Sequence, residues 1–277
     1  MTMLAISETD NAAKFPPSDL FSDEPPLESD RHLKQILLLL LSLEWWWQER
    51  PDAPENRRNN FYATGNLTIY YSRRQLPSEK LRGPDFFVVL DTEYKERKSW
   101  TVWEEDGKYP NAIVEMLSDS TANVDRNKKK RIYQDTFRTP EYFWFDPYSL
   151  EFQGFRLTDG GKYRAIEANE YGWLWSQQLE LYLGIVAEKL RFFTPEMELV
   201  PTRGEGESQR AEAESQRADA ESQRAEVESQ RAEAESQRAE VESQRAEAES
   251  QRADAERQRA EAAEAELAAL RRQIEEQ

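Results

Sequence analysis

Glu115 is the residue whose setting most demands a chemical explanation. It stands inside Ala112-Ile113-Val114-Glu115-Met116-Leu117, an apolar run of strand length whose pattern calls for burial. A buried charge without a partner is strongly unfavourable, so Glu115 must have one. Asp85 follows Pro84 at the mouth of a second apolar run, Phe86-Phe87-Val88-Val89-Leu90. If the two strands pair, two carboxylates meet and repel unless a cation lies between them. A hard, all-oxygen site of this kind suits magnesium or manganese. The alternative is that each acid pairs with an arginine or caps a backbone. Asp125, Lys129 and Tyr133 recur every four positions and share one helix face, from which Lys129 could reach the same site. Lys129 also belongs to the run Lys128 to Arg131, and such runs are usually solvated faces.

Composition removes other chemistries. There is no cysteine, hence no disulfide framework and no thiolate metal site. The lone histidine, His32, rules out a multi-histidine metal site and reads as a helix-start residue. Net charge is −17. From Glu207 onward there are 11 arginines against 20 acids, and the preceding part is acidic as well. Overall charge would slow encounter with DNA, so nucleic-acid binding needs a local basic surface or bridging metal. Arg57-Arg58, Arg73-Arg74 and Lys128 to Arg131 are the candidate phosphate contacts. The start of the chain shows no basic leader with an apolar core, and the longest apolar run, Ile36 to Leu43, is far too short to span a bilayer. The expected location is cytoplasmic.

These residues need elements to position them. Residues 1–27, with four prolines among acids and serines, read as a flexible arm. Ser29-Asp30 starts a helix so dense in leucine that burial on most faces is expected. Phe61–Thr64 and Leu67–Tyr71, joined by Gly65-Asn66, read as a hairpin. A helix is expected from about Asn123 to Phe137, strands over Glu141–Asp146, Phe152–Leu157 and Tyr163–Ile166, and either helix or strand from Leu179 to Phe193. All eight tryptophans, eleven tyrosines and twelve phenylalanines precede Glu207, enough for one well-filled core. The remainder repeats ESQRAEA, with Glu207 to Arg210 and Arg210 to Glu214 as the first rungs of an ion-pair ladder. Its seam of Ser208, Ala211, Ser215 and Ala218 buries so little that a lone solvated helix competes evenly with a coiled coil. The expected division is an arm over 1–27, a domain over 28–203 and a charged helical tail over 204–277.

Residues 84–147 resemble the Uma-two family of restriction-endonuclease-like proteins, within the PD-(D/E)xK nuclease superfamily. The matching text is Gly83-Pro84-Asp85 with the apolar strand after it, Ser99-Trp100, Ile113-Val114-Glu115 through Ser118, then Asp125 with Lys129 and Tyr133, then Pro140-Glu141-Tyr142-Phe143. A looser likeness runs from about Leu27 to Thr202. The resemblance implies an α/β (α+β) fold with a restriction-endonuclease-like mixed sheet flanked by helices. It implies catalytic roles for Asp85, Glu115 and Lys129, with Asp85 and Glu115 holding Mg2+ or Mn2+, and hydrolysis of phosphodiester bonds, with DNA as partner. The superfamily's lysine would stand two residues after the glutamate, where this chain has Leu117; Lys129, on the following helix, matches instead. Glu28 could add a further carboxylate. A homodimer through the nuclease domain or the tail is compatible with this reading. The competing reading is a catalytically inactive nuclease fold that binds a partner through its helical tail.

Overall fold

The two apolar runs become neighbouring central strands. The computed structural model describes residues 20–24, 26–27, 29–50, 57–71, 83–118, 122 and 124–275. Strands β1 (Phe61–Thr64), β3 (Phe86–Leu90), β5 (Ala112–Met116), β6 (Glu141–Phe145), β7 (Phe152–Leu157) and β8 (Tyr163–Ala165) form one six-stranded sheet in the order β1-β3-β5-β6-β7-β8. The sheet is mixed: β5 and β6 run parallel, and every other neighbouring pair is antiparallel. Two short strands, β2 (Ile69–Tyr70) and β4 (Trp100–Thr101), pair in parallel beside it. A three-stranded sheet follows, built from β9 (Leu174–Ser176), β10 (Leu181–Val186) and β11 (Lys189–Phe193).

Successive residues of a strand point to opposite faces, so the continuous apolar runs fill two cores. On one face Phe86, Val88, Val114, Met116, Phe143 and Phe145 pack with Ile36, Leu39 and Leu43 of helix α1 (Asp30–Glu44) and with Leu183 and Phe192 of the small sheet. On the other, Phe87, Val89, Ile113, Leu117, Tyr142 and Trp144 pack against Tyr133 and Phe137 of helix α2 (residues 124–137). Helix α2 is wide-turned, π-type over Val124–Lys129 and Ile132–Phe137. Such turns concentrate at functional sites.

Several expectations change. Helix α1 starts as its sequence indicates, with the Ser29 hydroxyl accepting from the His32 N–H. It is not buried on most faces, however: Leu33, Leu37 and Leu41 remain 42%, 43% and 49% exposed, because α1 covers the sheet with a single stripe. The expected hairpin does not form. Strand β1 pairs with β3 while β2 leaves for β4, since the Gly65-Asn66 turn grips the backbone at Asp85 instead of closing onto its own flank. Residues 20–24, expected in a flexible arm, bond to Thr68, Lys98 and Ser99. The undecided stretch is the β10–β11 hairpin, whose turn residues Ala187 and Glu188 have φ of 48° and 59°, the left-handed pair such a turn requires.

The chain divides into two units, Met1–Glu207 and Ser208–Gln277. Residues 208–275 of the second belong to helix α3 (Arg203–Glu275), 73 residues long, whose described side chains from Ser208 are exposed except for Arg210. Among the described residues no helix is long and apolar enough to cross a membrane.

Glu141, fully buried at the start of β6, ties the large sheet to the small one. It accepts from Arg156, from the Ser176 hydroxyl and from the Gln177 and Gln178 amides. Glu141→Ala removes this shared acceptor and leaves Arg156 only the Trp175 carbonyl, and a loss of about 3 kcal/mol is expected from a urea denaturation curve.

Candidate active site

The register places Asp85 beside Glu115. Phe86 is opposite Val114 in the antiparallel β3–β5 pair, so the residues one step out, at the mouth of β3 and inside β5, are neighbours. The Asp85 amide faces Glu115 Oε2 at 3.4 Å, and Asp85 Oδ2 accepts from the Met116 N–H at 2.7 Å. Glu115 shares the α2-facing side of β5 with Ile113 and Leu117, and it is 0% exposed. Asp85 as a residue keeps intermediate exposure, while its carboxyl is turned inward among buried groups.

Helix α2 supplies the partners. Lys129 Nζ lies 2.9 Å from Glu115 Oε2 and 3.0 Å from Asp125 Oδ1. The Tyr133 hydroxyl donates to Glu115 Oε1 at 2.6 Å. Asp125, Lys129 and Tyr133 are all buried, one turn apart on the face turned to β5. Tyr142 of β6 donates its hydroxyl to the Asp125 carbonyl at 3.0 Å, which fixes the start of α2 to the sheet. The structure thus brings Asp85, Glu115 and Lys129 together. Lys129 is the buried member of its basic run, while Lys128 and Arg131 stay exposed and the Lys130 ammonium sits 3.2 Å from the Phe155 ring centroid. Leu117 points to the same side as Glu115 but is sealed in the α2-side core, so a lysine arriving from α2 takes up the space beside the glutamate.

The electrostatics follow from burial. Desolvation, reinforced by Asp85, pushes the Glu115 carboxyl up to about 7 despite the opposing pull of Lys129 and Tyr133. Asp85 is also raised, by burial foremost, against the lowering effect of Lys129 and the Met116 amide. Burial alone would lower the Lys129 ammonium, but Glu115, Asp125 and Asp85 around it raise it overall, so it stays charged. The Tyr133 phenol is held well above its usual value by burial and by Glu115, and remains a donor.

Three participants were less legible. Asp125 and Tyr133 show in sequence only as a four-residue repeat, and their contact with Glu115 and Lys129 needs the fold. His32 contacts the site's edge: its Nε2 is 3.2 Å from the Leu117 carbonyl oxygen, two residues past Glu115. Of the other candidate phosphate contacts, Arg58 pairs with Glu180 at the surface. Arg73, Arg74 and Glu28 lie outside the described residues.

Residues 6–190, more than half of the chain, match the Uma-two family, described as putative restriction endonuclease. No curated protein matches. Among solved structures, the chain is similar to a putative nuclease from Anabaena variabilis at 11% identity and a TM-score of 0.38, over 57% of this chain and 77% of that one.

A carboxyl whose folded value is raised binds its proton more readily when folded. Its stabilising contribution is present below the ordinary carboxylate range and lost as pH rises through about 7. In chelator, Glu115→Gln is therefore expected to gain stability relative to the unsubstituted protein between pH 5.5 and 8.5, read from paired urea midpoints. An unchanged difference would mean that Glu115 carries no such strain.

Proposed function

The chain belongs to the Uma-two family of restriction-endonuclease-like proteins, and we propose that it is a divalent-metal-dependent endonuclease that hydrolyses phosphodiester bonds in DNA. The observation that carries this reading is a charge imbalance. Asp85, Glu115 and Asp125 surround the single ammonium of Lys129, leaving two negative charges uncompensated when all are ionised. The donors fit a hard cation: two oxygen-donor carboxylates from adjacent strands. Mg2+ or Mn2+ held by Asp85 and Glu115 would polarise a phosphoryl oxygen and lower the pKa of an attacking water.

The protein's own groups have distinct tasks in this reading. Tyr133 fixes Glu115 Oε1, leaving Oε2 toward Asp85 and Lys129. Asp125 holds Lys129 in place, and Lys129 orients the water and stabilises charge developing on the phosphoryl oxygens. Exposed Lys128 and Arg131, on the same helix, are the phosphate contacts that an acidic protein needs near its site.

One observation favours the competing, non-catalytic reading: Leu117 fills the superfamily's lysine position, and Lys129 is engaged by two acids. Cleavage separates the two. With Mg2+ or Mn2+ and plasmid or single-stranded DNA, Glu115→Ala and Lys129→Ala are each expected to lower the rate by about 10²–10³-fold or more. Metal-independent capture of a protein partner without cutting would support the binding module. Positions 115 and 117 point to the same face of β5, so Leu117→Lys in a Lys129→Leu background, which returns a lysine to that face, is expected to recover part of the lost rate.

A further inference from the structure

We propose that Glu24, ahead of the first helix, is a positioning residue that latches the Gly83-Pro84-Asp85 turn and so holds the Asp85 carboxylate against Glu115. The proposal rests on the reading of Asp85 as a metal ligand. Glu24 Oε1 accepts two hydrogen bonds, from the Gly83 N–H at 2.8 Å and from the Thr68 hydroxyl at 2.9 Å. Thr68 is fully buried, so this contact is an internal one.

Glu24 arrives at Gly83 already anchored. The Ser22 N–H donates to the Lys98 carbonyl, the Thr68 N–H to the Ser22 hydroxyl, and the Asp23 N–H to the Thr68 hydroxyl oxygen. The Ser99 and Tyr70 hydroxyls donate to the carbonyls of Leu20 and Phe21. Residues 20–24 therefore form a strap across the start of β2 and β4.

The latch meets the motif where tolerance is smallest. A Cβ at Gly83 would lie 2.6 Å from the Glu24 carboxyl carbon and 2.7 Å from the Leu67 carbonyl oxygen, so space, not φ, demands glycine there. On the far side of the turn, the Asn66 N–H is shared by the carbonyls of Pro84 and Asp85, at 3.1 and 3.2 Å. A Cβ at Gly65 would collide with the Asp85 carbonyl and the Ile36 side chain. Asp85 is thus gripped ahead of its own residue and at its own carbonyl, and among the described residues Glu24 is the one side-chain carboxylate in that grip. Metal ligands are oriented by such outer contacts, whose loss typically weakens binding by about 10–100-fold.

The test is Mn2+ titration calorimetry on the full chain, with thermal melting in chelator alongside. Asp85→Ala is expected to abolish binding, which checks the reading underneath. Glu24→Ala is expected to weaken Mn2+ binding by about 10–100-fold. Glu24→Gln, whose amide oxygen can accept the same two bonds, restores it to within a few-fold. Glu24→Asp keeps the charge but not the reach and follows Ala, which preserves the test if Glu24→Ala does not fold. Wild-type Mn2+ affinity in a folded Glu24→Ala or Glu24→Asp variant, with only a lowered melting temperature, would overturn the latch and leave Asp85 as a ligand. Absent Mn2+ binding by the unsubstituted protein, or unchanged binding by Asp85→Ala, would remove the metal reading itself and the latch with it.

Discussion

Everything around the site answers to one constraint, the burial of the Glu115 carboxylate in the middle of a sheet with Asp85 at its side. Neither strand can be moved to relieve it, because β3 and β5 carry the apolar residues of both cores. Relief comes from α2, which lays Lys129, Asp125 and Tyr133 over that one strand position. A cluster that holds three acids with one lysine is short of positive charge when all of them are ionised. The site is therefore organised by charge balance before any chemistry is considered.

The sequence exposed this constraint clearly. A glutamate inside an apolar strand and an aspartate at the mouth of another are visible without coordinates, because period and polarity conflict at those positions. The meeting of the two strands was legible as a condition, and their antiparallel register is what brings the carboxylates together. Lys129 was harder to read. Its run of basic neighbours looks like solvated surface, and only the packing of α2 on β5 singles out which lysine turns inward.

Elsewhere local signals misled for identifiable reasons. Gly65-Asn66 has the composition of a hairpin turn, yet its small size serves close approach to Asp85. The leucines of α1 suggest burial all round, but a helix laid on a sheet hides one stripe only. The Pro- and acid-rich start reads as an arm, whereas residues 20–24 are fixed by hydrogen bonds to Thr68 and Ser99 that composition does not reveal. The heptad tail is the opposite case: its regularity was plain, and its helix runs as the repeat requires, with charged and small side chains facing solvent.

The most direct test of this account is a crystal structure of the full chain soaked with Mn2+, with anomalous scattering used to locate the ion. The account expects one peak between the Asp85 and Glu115 carboxylates, with Lys129 still held by Asp125. Manganese found only at other acidic residues, with the Glu115–Lys129 pair unchanged, would contradict it.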